Sequence, residues 1–266
     1  MRANKHKAAA LKSRFLNLFF PYQREWLLDG QQFKIGLWAR QTGKDYTCAA
    51  EAVMDCIIHP RKHWLILACG ERQAVETLLK AGEWARKIDA LIPDETVDFQ
   101  ESCTEIRFEN GSRITALPAL AETVRGYSAN VILTEFAFHD DADAIYQAIF
   151  PSVTNPLRGG QKKLRIISTP SGHGNLFHKL WSDAAAHGYK THKVTVHDAV
   201  AQGLPLNVDQ LKSGLVHPEA WAQEYECQFI DQTSVLLPYA LIEQCESAEA
   251  TETPIVTSEL KACKFW

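Results

Sequence analysis

The chain lacks a Cys-x-x-Cys pair, an apolar run long enough to cross a membrane, an internal repeat and any excess of positive charge. Each absence excludes something. Its seven cysteines, Cys48, Cys56, Cys69, Cys103, Cys227, Cys245 and Cys263, are odd in number, and several lie in apolar runs where a free thiol packs as a small hydrophobe. That usage suits a reducing cytoplasm better than secretion. The one early apolar stretch, Phe15–Phe20, contains Asn17 and ends at Pro21. It is too short for a signal-peptide core or a membrane span, so no membrane partner is expected. A net charge of -4 gives no global nucleic-acid signature, and any DNA contact must use a local patch. Arg2, Lys5, Lys7, Lys12 and Arg14, with no acid among them, form one such patch, or else a solvated basic tail. With 266 residues, 46% of them apolar and 23% charged, the chain suits one large globular domain, with or without an appendage.

What is present alternates between two periods. Strands are expected at Lys34–Ala39, Trp64–Cys69, Val131–Thr134, Leu164–Ser168 and Lys190–Val196. Helical spacing marks Asp45–Ile58, Glu71–Leu91, Asp141–Phe150, Leu176–Ala186, Asn207–Leu215 and Pro218–Ile230. Glu105–Phe108 and Arg113–Leu117 flank Asn110-Gly111, whose tolerance of positive φ predicts a β-hairpin. Strands alternating with helices predict an α/β, largely parallel sheet, with the hairpin as an antiparallel insertion or edge. After Gln232 the pattern weakens to one further helix, Leu236–Glu246, and a linker-like tail, Ser247–Trp266.

Two segments carry chemistry. Leu37-Trp38-Ala39-Arg40-Gln41-Thr42-Gly43-Lys44-Asp45 joins a strand to a helix, as a phosphate-binding loop does. Gly43-Lys44 fits the end of that pattern; Trp38 stands at its first glycine and Asp45 at its Ser/Thr. Alone, Gly-Lys-Asp is a solvated turn. About ninety residues on, the apolar strand Val131–Thr134 runs into Glu135, a carboxylate able to orient water. The ordered pair points to a motor-type ATPase. His139-Asp140-Asp141-Ala142-Asp143 reads as a helix N-terminus rather than a metal site.

Arg40-Gln41-Thr42-Gly43-Lys44, the strand ending in Thr134-Glu135 and Ser168-Thr169-Pro170 together resemble the large terminase subunits of tailed phages, the Mu-like prophage group among them. The resemblance covers about Pro21 to Pro238 and implies a RecA/ASCE-like P-loop NTPase fold. By that likeness Gln41, Thr42, Gly43 and Lys44 bind the phosphates of ATP, Arg40 senses the γ-phosphate, Tyr22 and Gln23 recognise adenine, and Glu135 polarises the attacking water. Ser168 and Thr169 correspond to the coupling motif, their hydroxyls reaching a γ-phosphate-linked water or Glu135. Arg125, in Val124-Arg125-Gly126-Tyr127, corresponds to a contact with DNA or with a neighbouring subunit's nucleotide.

Two departures from the family fall in register. Asp45 replaces a hydroxyl and Thr134 replaces the aspartate that holds Mg²⁺ through its shell. An exchange of roles, Asp45 giving the carboxylate and Thr134 the hydroxyl, keeps the charge and the oxygen environment of a hard cation. The alternative is a decayed metal site.

The expected organisation is a basic segment at 1–20, an ATPase domain at 21–238, and a linker or tail at 239–266 where terminases place an RNase H-like nuclease. No nuclease activity is expected of this chain. The implied work is ATP-driven packaging of double-stranded DNA, as a homo-oligomeric ring on a portal with a small terminase subunit, in the cytoplasm of a bacterial host. A helicase-like remodelling ATPase and a non-hydrolysing prophage remnant are the competing readings.

Overall fold

The computed structural model describes residues 11–91, 96–155, 161–230 and Cys245. Arg2, Lys5 and Lys7, the expected helix at Leu236–Glu246 (Cys245 apart) and the tail beyond it lie outside the described residues. The eight strands are β1 (Phe33–Trp38), β2 (His63–Ala68), β3 (Phe99–Glu101), β4 (Glu105–Phe108), β5 (Arg113–Pro118), β6 (Asn130–Thr134), β7 (Leu164–Ser168) and β8 (Lys190–Val194). They form one sheet in the order β3-β4-β5-β2-β6-β7-β1-β8. From β5 to β8 every pairing is parallel; β3, β4 and β5 pair antiparallel at the edge. The fold is therefore α/β, mostly parallel, with the hairpin of β4 and β5 as an edge feature.

Helices flank this sheet: α1 (Pro21–Leu28), α2 (Lys44–Ile58), α3 (Glu71–Ala90), α4 (Ala121–Val124), α5 (Ala142–Thr154), α6 (Leu176–Ser182), α7 (Val196–Ala201), α8 (Val208–Gly214) and α9 (Pro218–Glu224). Strand alternation divides the core into two layers. Trp38, Trp64, Ile66, Ile132 and Ile167 face a layer shared with α2 and α3. Ile35, Leu37, Leu65, Leu67, Val131, Leu133, Leu164 and Ile166 face the other, with α5, α6 and Trp221 of α9. Four buried tryptophans, Trp26, Trp38, Trp64 and Trp84, anchor the first layer. Burial of each contributes on the order of 4 kcal/mol by the area it removes from water. This core reaches upstream of Pro21: Phe15 and Phe19 are buried, and the Phe19 ring stacks on Trp84.

Some element boundaries differ from expectation. The strand expected to reach Val196 ends at Val194, because Thr195 caps a new helix. Its hydroxyl accepts from the Asp198 N–H while the Asp198 carboxylate accepts from the Thr195 N–H. Helix α5 continues through Pro151 to Thr154 instead of ending at Phe150. Helix α9 ends at Glu224, short of the expected Ile230. Asp141 does occupy the N-cap of α5, but its side chain makes no capping bond.

Candidate nucleotide site

The parallel strands present their carboxyl ends on one rim, where open α/β sheets bind ligands. On this rim β7 lies between β1, which leads into the loop at 39–43, and β6, which leads into Glu135. The loop enters α2 through Gly43, whose φ is +81°. A Cβ there would lie 2.8 Å from Gln23 Nε2, so the site demands glycine on both conformational and steric grounds. Gln41 and Glu135 also hold positive φ, 60° and 51°, a conformation uncommon without glycine and concentrated at functional turns. Trp38, at the position of the usual first glycine, turns into the core between the rings of Tyr22 and Trp26. Its bulk therefore stays in the hydrophobic layer.

The two halves of the site meet. Lys44 Nζ lies 2.8 Å from Glu135 Oε1. Burial pushes the Lys44 ammonium down, but Glu135 and Asp45 together outweigh it and raise it above the ordinary lysine value. Thr134 Oγ1 donates to Asp45 Oδ1 at 2.5 Å, so the two exchanged residues face each other. Lys80, from α3, lies 3.5 Å from the other Asp45 oxygen. A carboxylate and a hydroxyl in contact are hard oxygen donors of the kind Mg²⁺ takes. The end of β7 adjoins them: the Thr169 N–H points at Glu135 Oε2, 3.5 Å away, and Ser168 Oγ accepts from the Ala137 N–H at 3.1 Å. The expected hydroxyl link is thus made by a backbone N–H at Thr169, while the Ser168 hydroxyl fixes the turn that follows Glu135.

The remaining expected residues sit at varying distances from this centre. Tyr22 and Gln23 are buried beneath the loop, with Tyr22 Oη and Gln23 Nε2 both donating to the Thr42 carbonyl, at 2.9 and 3.3 Å. Gln23 Oε1 accepts from the Phe20 N–H, so both ends of its amide are engaged inside the protein. Thr42 Oγ1 in turn donates to the Ala39 carbonyl at 2.7 Å. The Arg40 side chain is 63% exposed, 3.8 Å from Glu224, and its backbone N–H donates to the Glu224 carbonyl. Arg125 is exposed at the end of α4. No cluster of three or more metal-ligating side chains occurs among the described residues.

Residues 35–244 match the family described as terminase large subunit, T4likevirus-type, N-terminal. The chain belongs to the phage large-terminase family. Among similar proteins, the Mu-like prophage FluMu protein gp28 of Haemophilus influenzae is 27% identical over 255 residues, 90% of this chain and 49% of that protein. The probable terminase large subunit gp28 of Escherichia phage Mu is 30% identical over 218 residues, 76% of this chain and 39% of that protein. The chain thus spans about half, or less, of the length of these two relatives. The fold is that of terminase ATPase domains. The domain from Thermus phage P74-26 superposes with a TM-score of 0.59 at 19% identity, covering 76% of this chain and 90% of that one. The large terminase of another thermophilic bacteriophage, in complex with ADP, gives 0.62 at 11% identity, covering 79% and 54%. No helix among the described residues of this terminase is long and apolar enough to cross a membrane.

The expectations missed a second set of charges. Lys34, Glu51 and Arg165 are buried together, and Asp55 is buried beside Lys163. Only the positions of Glu51 and Asp55 on the face of α2 that carries Lys44 could have signalled it.

Proposed function

We propose that this chain binds and hydrolyses ATP as the motor part of a large terminase, using the energy to move double-stranded DNA. The convergence of Lys44 and Glu135 on one rim carries this reading. Lys44 is paired by Glu135, so an incoming triphosphate takes the ammonium away from the carboxylate and frees it. Lys44 then holds the β- and γ-phosphates, the N–H groups at the start of α2 complete the cradle, and Glu135 orients a water. The Thr169 N–H steadies Glu135. Tyr22 and Gln23 act through Thr42 by holding the loop in shape. Arg40, on the exposed outer side of the loop, turns from Glu224 to the γ-phosphate, and Arg125 faces DNA or an adjacent subunit. The complexes of the thermophilic-bacteriophage terminase with ADP and with ATP-gamma-S support nucleotide as the ligand.

Asp45 and Thr134 are the residues that would hold Mg²⁺, with Lys80 yielding its place on Asp45. The ion would supply charge neutralisation at the phosphates. The catalytic unit spans 21–238, built on the core that begins at Phe15. It works as a ring on a portal with a small subunit, in the bacterial host's cytoplasm. Mg²⁺-dependent ATP hydrolysis by the purified chain, with and without double-stranded DNA, tests the reading. Hydrolysis stimulated by DNA is expected. Nucleotide binding without turnover would mark a prophage remnant, and strand separation a helicase-like enzyme.

A further inference from the structure

Helix α2 buries charge against the sheet, and the reaction outlined above makes no use of it. Glu51 and Asp55 follow Lys44 by seven and eleven residues. These spacings are close to two and three turns, so all three lie on the face of the helix that rests on the sheet. Beneath them the alternation of β1 and β7 turns Lys34 and Arg165 to the same layer. Register sets these two cations directly opposite each other, both fully buried. Like charges facing each other on adjacent strands repel. Glu51 lies between them and α2, taking Arg165 Nε at 2.9 Å, Arg165 Nη2 at 2.7 Å and Lys34 Nζ at 3.2 Å.

Trp26 Nε1 donates to the same carboxylate at 3.0 Å. Gly36 makes room for that indole, since a Cβ there would lie 3.1 Å from its ring. Burial drives the Glu51 carboxyl up, but Arg165 and Lys34 reverse the effect and hold it at about 2. One turn further along, Asp55 takes Lys163 Nζ at 3.1 Å and Trp64 Nε1 at 2.9 Å. Lys163 immediately precedes β7, and Arg165 is its second residue. The helix that opens on Lys44 is therefore bonded both to the strand whose end touches Glu135 and to the residue that leads into it.

Apolar contacts would hold a helix on a sheet without the desolvation cost of buried ions. Forked charge-assisted bonds add fixed direction and length. We infer that Glu51 and Arg165 are positioning residues for nucleotide turnover: they brace the phosphate-binding helix to β7, so that a change at Lys44 displaces Ser168, Thr169 and the segment after them. This rests on the ATPase reading.

The test is the combined variant Lys34→Met, Glu51→Leu and Arg165→Met. Apolar replacement of a buried triad preserves folding, so its Tm should stay within about 5 °C of wild type. ATP-gamma-S affinity and the KM for ATP should stay within about threefold, while kcat falls about tenfold or more through misplacement alone. Hydrogen exchange supplies a readout independent of turnover. In the wild type, nucleotide should slow exchange at both 44–48 and 167–175; in the variant, only at 44–48. A folded variant with wild-type kcat and both segments protected overturns the inference. Should the triple variant not fold, Arg165→Lys decides, since it keeps the charge and loses the fork: kcat falling at constant KM supports the brace, and unchanged kcat overturns it. Absence of hydrolysis by the wild type counts against the motor reading alone, because the exchange measurement needs only binding.

Discussion

Two buried lysines, ten residues apart in sequence, face opposite electrostatic situations. Lys44, at the rim, pairs with Glu135 and has Asp45 nearby, and its ammonium is stabilised despite burial. Lys34, deeper in the same layer, shares Glu51 with Arg165; burial, with repulsion from Arg165, outweighs the pull of Glu51 and brings it down to about 8. The difference extends to their partners. The Glu135 side chain is 28% exposed and that of Glu51 only 9%. At the rim each charge is satisfied by another group that a ligand can replace. Deeper in, the charges are satisfied by groups that have nowhere else to go. The same chemistry thus serves exchange in one region and fixation in the other.

The sharpest way to break this comparison is to remove the exchangeable charges. Lys44→Ala should lower ATP turnover by about a hundredfold or more and weaken nucleotide binding. Glu135→Gln should lose turnover by a similar factor while still binding, because the water-orienting carboxylate is gone and Lys44 is released. Steady-state kinetics alongside fluorescent-nucleotide titration separates the two, and equal kinetics for wild type and both variants would place the chemistry elsewhere.

Next in size is the exchanged pair. Asp45→Thr and Thr134→Asp should each reduce Mg²⁺-dependent turnover by about tenfold, since one leaves two hydroxyls and the other two repelling carboxylates. The double variant should recover most of the activity. Double and single variants behaving alike would sink the exchange.

Gly43→Ala should cost about 1–3 kcal/mol of stability through its left-handed φ and the approach of Gln23, with a parallel loss of nucleotide affinity. Urea denaturation and binding isotherms measure both, and an unperturbed variant would mean the loop has another conformation.

The smallest effect concerns the deeper charges. Glu51 is depressed from 4.5 to about 2 by Arg165 and Lys34, so its contribution is fully present above 4.5 and lost as pH falls toward 2. Denaturation midpoints between pH 5 and 2.5 should fall more steeply for wild type than for the apolar triple variant. Parallel pH profiles would show that Glu51 is not held in its charged form.

Much of the frame is legible in the sequence. The apolar runs of β2, β6 and β7 mark strands covered on both faces, and Asn110-Gly111 marks the hairpin, because both signals are local. Helix α7 escaped notice, since Lys190–Val196 continues an alternating pattern and only the Thr195–Asp198 cap breaks it. Strand β3 is three residues long and owes its form to pairing with β4. Helix α5 passes through Pro151, beyond the expected end at Phe150, supported by its buried residues Ile145, Ile149 and Val153. The family resemblance assigns Tyr22 and Gln23 to adenine recognition; their contact with the Thr42 carbonyl, twenty and nineteen residues on, appears only in three dimensions.

By itself the sequence determined the order of elements, the loop with its lysine, the strand with its glutamate and the membership of a family, all carried by short-range pattern and motif. Only the tertiary structure decided which charges meet. Strand order placed β7 between β1 and β6, and register put Lys34 opposite Arg165. Helix packing laid Glu51 across both and brought Asp45 to Thr134. Those pairings depend on how distant segments align across the sheet, and side-chain burial then sets how strongly each pair interacts.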